Sequence, residues 1–176
     1  MDRDGVINDG RPYVHRVEDF VFVNGAINAL RALQASDYLL VVVTNQSGIA
    51  RGLYTEADYL RLTEHMRDQL RAAGIWLAAV EHCPHLPNAP VTRYRLECEC
   101  RKPRPGMLLR AIAGLGIDVG ASVLIGDRAS DIEAGRAAGI ARCFLVRTGN
   151  SLPKGDEQLA DAIFDDLTAC VDYLGA

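Results

Sequence analysis

Two short, almost unbroken apolar runs constrain this chain more than any other feature: YLLVVVT over residues 38–44 and SVLIG over residues 122–126. Runs of that length, closed by polar residues, suit parallel strands buried on both faces. ARCFLV (141–146) and LAAVEH (77–82) are weaker versions of the same pattern. Helical patterns lie between them. NGAINALRALQAS covers residues 24–36, and a longer helix follows Thr55, whose TEAD supplies an N-cap and an acid three residues later. That helix runs toward Gly74, a natural stop. Pro105 and Gly106 open a third helix, SDIEAGRAAG forms a fourth with Ser130 as its candidate cap, and a last helix follows FDD. Strand alternating with helix predicts an α/β chain, a doubly wound three-layer α/β/α parallel sheet. In such sheets ligands gather beyond the carboxyl ends of the strands.

The 176 residues, 49% hydrophobic and 24% charged, are enough for one continuous core, so residues 1–176 are expected to form a single domain. A net charge of -4 gives no electrostatic footprint for nucleic acid. No apolar run reaches the length of a membrane span and nothing resembles a signal peptide, so a cytoplasmic chain is expected. The five cysteines are an odd count, which argues against a disulfide framework. Cys143 and Cys170 sit in apolar surroundings and read as small core residues.

Four strand ends carry polar groups fit for chemistry: DRDG at the start, TNQSG from Thr44, CRKPRPG from Cys100, and GDRASD from Gly126. Asp2 and Asp4 are spaced to converge on one face, and Gly5 lets the backbone turn sharply behind them. Thr44 and the N–H groups of the turn after it suit an anionic oxygen. Lys102 supplies a compact positive charge and Arg101 a forked contact to phosphate. Asp127 and Asp131 can join Asp2 and Asp4 in holding a hard cation, because carboxylates so crowded repel one another until a cation intervenes.

A second cluster is made of Cys83, His85, Cys98 and Cys100, in the order C-x-H, twelve residues, C-x-C. Four such ligands suit tetrahedral zinc with no open position. The single-residue gaps are tighter than those of a nucleic-acid finger. The loop over residues 83–100 has too little apolar material for a core of its own, and structural zinc contributes about 10–16 kcal/mol in small peptides. The role expected is therefore structural, with the metal also fixing where Arg101 and Lys102 point.

On these motifs the sequence resembles the haloacid dehalogenase superfamily of phosphotransferases over nearly its whole length. DRDGVIN is similar to the first motif, VVVTN to the second, Lys102 in CRKPRPG to the third and LIGDRASD to the fourth. The resemblance implies that Asp2 attacks phosphorus and that Asp4 acts as general acid and then base, with Thr44, Arg101 and Lys102 completing the catalytic set. It implies Mg²⁺ held by Asp2, the backbone carbonyl of Asp4, and Asp127. It also implies sugar phosphate contacts from Gly10, Arg11, Pro12, Tyr13, Thr44, Asn45, Gln46, Ser47, Arg101, Lys102 and Arg128, with Arg51 as a further partner for a second phosphate. No insertion is long enough for a large cap domain.

Within the superfamily the zinc loop beside CRKP is similar to two groups, the heptose 1,7-bisphosphate phosphatases and the histidinol-phosphate phosphatases. TNQSGIARG, RKPRPGM, VRTGN and the twelve-residue gap favour the heptose group; Arg128 in GDRASD is closer to the histidinol group. The reaction implied is removal of the 7-phosphate, leaving the 1-phosphate for nucleotide activation in bacterial heptose and lipopolysaccharide core synthesis. The expected partner is thus a small sugar bisphosphate, with no nucleic acid or membrane, acting on a monomer. Superfamily members also carry an apolar strand ahead of the first aspartate, here reduced to Met1. Five buried apolar side chains come to roughly 8–15 kcal/mol, so the natural product is expected to begin upstream of Met1. A zinc-stapled binding module without catalysis stays as the alternative from another class.

Overall fold

The computed structural model describes residues 1–149 and 155–176. Five strands form, β1 (Leu40–Asn45), β2 (Leu77–Cys83), β3 (Val123–Gly126), β4 (Arg142–Val146) and β5 (Ala162–Phe164), and all of their pairings are parallel. Six helices alternate with them: α1 (Ala26–Ala35), α2 (Ser47–Ala50), α3 (Glu56–Ala72), α4 (Gly106–Leu115), α5 (Ala129–Ala137) and α6 (Leu167–Leu174).

Period-2 alternation along the strands builds the layers. Val42, Ile125, Phe144 and Val146 pack with Leu30 and Leu33 of α1, Met66 and Leu70 of α3, and Cys170 and Val171 of α6. Their neighbours Val43, Leu124, Cys143 and Leu145 face the other way, onto Met107 and Leu108 of α4 and Ile132 and Ala134 of α5. The doubly wound three-layer expectation holds, and Cys143 and Cys170 are core residues. Among the described residues no helix is long and apolar enough to cross a membrane.

Local chemistry sets the helix starts. The Thr55 hydroxyl accepts from the Asp58 N–H at 3.1 Å while Asp58 accepts from the Thr55 N–H at 2.9 Å, the reciprocal box expected from TEAD. Asp166 caps α6 by accepting from the Ala169 N–H at 2.8 Å. Ser130 does not cap α5. Arg128 stands at the cap and its N–H donates to Asp131 at 3.1 Å, so a carboxylate inside the first turn does what the serine was expected to do.

The strands fall into two sets, β2–β1 and β3–β4–β5, among the described residues. Met1 and Asp2 bridge them. The Met1 amine donates to the Val41 carbonyl at 2.8 Å, Val43 N–H donates to the Met1 carbonyl at 2.9 Å, and Asp2 N–H donates to the Ile125 carbonyl at 2.9 Å. Behind this bridge a mostly apolar groove of ≈ 250 Å³ runs between β1 and β3, lined by Leu33, Val41, Leu108, Ala111, Val123 and Ile125 among others. Burial, reinforced by the charge of Lys102, pushes the Met1 amine down to about 5.

The groove lies beside Met1 between β1 and β3. Five apolar residues joined ahead of Met1 in strand register would bury roughly 8–15 kcal/mol of side chain against about 1–2 kcal/mol per residue of ordering. The net gain of a few kcal/mol predicts a melting temperature higher by about 5–10 °C. The buried amine sets the pH dependence. Between about 5 and its ordinary value of 8 the unfolded chain holds a proton that the folded chain lacks, so its cost grows as pH falls. The extension removes that cost, and thermal melts should show a larger gain at pH 6 than at pH 8.

Candidate active site and metal centres

The carboxyl ends of β1 and β3, the Met1–Asp2 bridge and the segment after Cys100 meet around one buried charge cluster. Lys102 Nζ lies 3.1 Å from Asp2 and 2.5 Å from Asp131, and donates to the Val43 carbonyl at 2.7 Å. Asp2, Lys102, Asp127 and Asp131 are all buried. Burial opposes the charge on Lys102, but Asp131 and Asp2 outweigh it and hold the ammonium well above its ordinary value. Asp2 moves the other way from a surface acid. Burial is the largest cause; Lys102 opposes it, Asp131 and Asp4 add to it, and the carboxyl is pushed up to about 6.

One lysine cannot balance three carboxylates. Ligand oxygens of Asp2, Asp127 and Asp131 lie within 4.8 Å of one another, a hard oxygen set that fits Mg²⁺. Asp131 therefore joins the expected pair of carboxylates. The Asp4 carboxylate instead faces Arg3, Asn8 and Gln46. Gly5 turns the chain at φ +85°, and a Cβ there would come within 2.6 Å of Asp127 Oδ2, so only glycine admits this acid so close to the first motif.

A cavity of ≈ 440 Å³ opens over the cluster. Asp2, Asp4, Gly10, Arg11, Pro12, Tyr13, Asn45, Gln46, Ser47, Arg101, Lys102 and Arg128 line it, and so does Arg51. Tyr54, Ser130 and Asp131 line it as well. Thr44 is buried at the end of β1, where its hydroxyl accepts from Gln46 Nε2 at 2.8 Å.

Two amides expected to meet substrate are also committed internally. Asn45 donates to the Lys102 carbonyl at 3.0 Å and accepts from the Lys102 N–H at 3.1 Å, fixing the backbone that carries the buried ammonium. Gln46 Nε2 donates to Asp4 at 2.9 Å, while its Oε1 accepts from the Tyr54 hydroxyl at 2.7 Å. Tyr54 was not singled out from the sequence, where it stands in an unremarkable loop; only the fold brings it to Gln46.

The second cluster forms beside the first. The Sγ atoms of Cys83, Cys98 and Cys100 lie 3.1–3.5 Å apart, and His85 Nδ1 is 3.7 Å from Cys83 and 3.5 Å from Cys100. A tetrahedron with metal–sulfur bonds of about 2.3 Å has edges of about 3.8 Å, so these four ligands fit zinc with little movement. Burial holds the Cys83 thiol up, so metal entry must displace a proton. The loop also reaches the active site, since Arg101 donates to the His85 carbonyl at 3.3 Å and Gln46 N–H to the Cys83 carbonyl at 2.8 Å.

This geometry predicts one tightly held zinc per chain, measured by elemental analysis of protein purified without chelator. Cys98→Ser should lose most of that zinc and, through the Arg101 and Gln46 contacts to the loop, raise KM.

Comparison with known proteins finds hydrolases similar to this chain over most of its length. The HAD-hydrolase-like family model matches residues 99–170. A D-glycero-beta-D-manno-heptose-1,7-bisphosphate 7-phosphatase of Photorhabdus laumondii is 46% identical over 167 residues, 95% of this chain and 89% of its own. The Vibrio cholerae protein of the same name is 44% identical over 174 residues, 99% of this chain and 94% of its own. Among solved structures, the D,D-heptose 1,7-bisphosphate phosphatase of B. bronchiseptica, complexed with magnesium and phosphate, superposes with a TM-score of 0.82 at 31% identity, covering 98% of this chain and 94% of that one. With this similarity along almost the whole length, the chain belongs to the haloacid-dehalogenase-like hydrolases, in the family of the heptose 1,7-bisphosphate 7-phosphatases.

Proposed function

We propose that the chain hydrolyses the 7-phosphate of D-glycero-D-manno-heptose 1,7-bisphosphate through an aspartyl-phosphate on Asp2. The observation that carries this reading is the cavity itself. Beyond the buried Asp2–Lys102 centre it presents Arg51, Arg101 and Arg128, with Arg11, paired to Asp9, at its edge, which is more positive charge than one transferring phosphoryl group requires. A substrate with a second phosphate uses that charge. The relatives' names support the same substrate class, and one at 43% identity is named for the alpha anomer.

In the proposed reaction Asp2 attacks phosphorus as the bond to the sugar oxygen breaks, and Asp4 gives its proton to that leaving oxygen. Water then attacks the phosphorus of the Asp2 ester, and the Asp4 carboxylate takes the water's proton. Inorganic phosphate leaves and both acids return to their starting forms. Lys102 and Arg101 stabilise the charge spread over the equatorial oxygens. On the turn after Thr44, Ser47 and Gln46 line the cavity, and the Thr44 hydroxyl holds the Gln46 amide there. Bound Mg²⁺ would supply neutralising charge among Asp2, Asp127 and Asp131 and polarise a phosphoryl oxygen. Zinc at Cys83, His85, Cys98 and Cys100 would staple the loop that carries Arg101. The chain would act as a monomer in the cytoplasm, supplying a sugar 1-phosphate for nucleotide activation.

Phosphorus NMR of the bisphosphate with enzyme and Mg²⁺ should show the C7 ester lost and the anomeric ester kept. Loss of the anomeric signal, or faster turnover of histidinol phosphate, would overturn the substrate assignment. Asp2→Asn should abolish release, and Asp4→Asn should lower kcat by about 10²–10⁴-fold.

A further inference from the structure

Arg3 lies between the two reacting acids, and nothing in the reaction above uses it. Its side chain is 1% exposed, among the largest fully buried side chains in the molecule. The guanidinium grips Asp4 with both oxygens engaged: Nη2 lies 2.9 Å from Oδ1 and 3.0 Å from Oδ2, and Nε lies 3.2 Å from Oδ1. The ring of Tyr59 sits 5.7 Å from the guanidinium carbon. Longer contacts of 3.4 Å reach the Val14 carbonyl and Gln46 Oε1. Asn8 Nδ2 and Gln46 Nε2 complete the ring of donors around Asp4 at 3.1 and 2.9 Å.

Taking a guanidinium out of water costs several kcal/mol unless the geometry of its partner is good. A forked arginine–carboxylate pair supplies that geometry and also fixes the plane of the carboxylate. Asp4 needs such fixing. Its side chain is 31% exposed to the cavity, and apart from Arg3 it is held by one hydrogen bond each from Asn8 and Gln46. A misplacement of about 1 Å in a reacting group costs about 10²-fold in rate.

We propose that Arg3 is a positioning residue that holds the Asp4 carboxylate in one plane while it donates and then accepts the proton. The inference rests on the phosphatase reading. Arg3 does not touch the phosphate. Its single sequence signature is a basic residue between two acids, and it works from behind the site.

The test is a double-mutant cycle on Arg3→Lys and Asp4→Asn, read by single-turnover kinetics on heptose 1,7-bisphosphate and on p-nitrophenyl phosphate. A sugar alkoxide needs a proton as it leaves; p-nitrophenolate does not. Arg3→Lys keeps the charge and loses the fork. It should slow transfer from the sugar ester by about 10–100-fold, with KM and the p-nitrophenolate burst changed by less than about threefold. In the Asp4→Asn background it should add less than about threefold, since both substitutions remove one function. Equal slowing of the two esters, or effects that multiply, would overturn the proposal. A wild-type crystal structure with Mg²⁺ and beryllofluoride serves even if the lysine variant does not fold: Arg3 should stay forked on Asp4, and a broken pair would overturn the proposal. Wild-type protein that releases phosphate from neither ester would instead remove the phosphatase reading itself.

Discussion

The buried ammonium of Lys102 among three buried carboxylates is the constraint on which the rest of this structure depends. Lys102 contacts Asp2 and Asp131 directly, and Asp127 lies within ligand distance of both acids. Left alone, such a cluster is unfavourable, because each charge has lost its water and the signs do not balance. Burial above all, with the like charges of Asp131 and Asp4 adding to it, raises the proton affinity of Asp2, and the cluster of carboxylates fits a divalent cation. A divalent cation would offset the surplus negative charge, and with it in place an anionic phosphoryl group could be held beside Lys102.

The parallel sheet brings these residues together from distant parts of the chain. Asp2 enters beside β1 and β3, Thr44 and Asn45 end β1, and Asp127 and Asp131 follow β3. Lys102 belongs to no strand and must be carried in by other means. Asn45 holds its backbone at both polar atoms, and the Cys83–His85–Cys98–Cys100 cluster anchors the segment just before it. A zinc ion held there would act by fixing the chain, since four protein ligands would leave no position for substrate.

The sheet was legible because parallel strands buried on both faces must be almost wholly apolar, and VLIG and LVVV are. The three-residue β5 was not, since Ala162–Phe164 carries too little pattern to stand out. The zinc set was legible because its two ligand pairs are local in sequence. Of the candidate site residues, Asp2, Asp4, Lys102 and Asp127 stood out by their sequence neighbours, whereas nothing in the sequence showed that Asn45 and Gln46, which line the cavity, also hold Lys102, Asp4 and Thr44 through their side-chain amides. Asp131 gave its signal as a second acid after β3, but the family resemblance assigned the cation to Asp2, Asp4 and Asp127. Arg3 ran against the rule that charged residues stay solvated, and only its forked partner accounts for its burial. The expected Asn150 of the VRTGN stretch lies outside the described residues.

Chemical capture of the covalent intermediate tests the account most directly. Acid quenching during turnover, followed by borohydride reduction, converts an aspartyl ester into homoserine, which peptide mass spectrometry locates. The account predicts homoserine at position 2, close to one per active chain during rapid turnover and absent from Asp2→Asn. Phosphate release with position 2 unmodified, or with the modification on Asp4 or Asp127 instead, would contradict it.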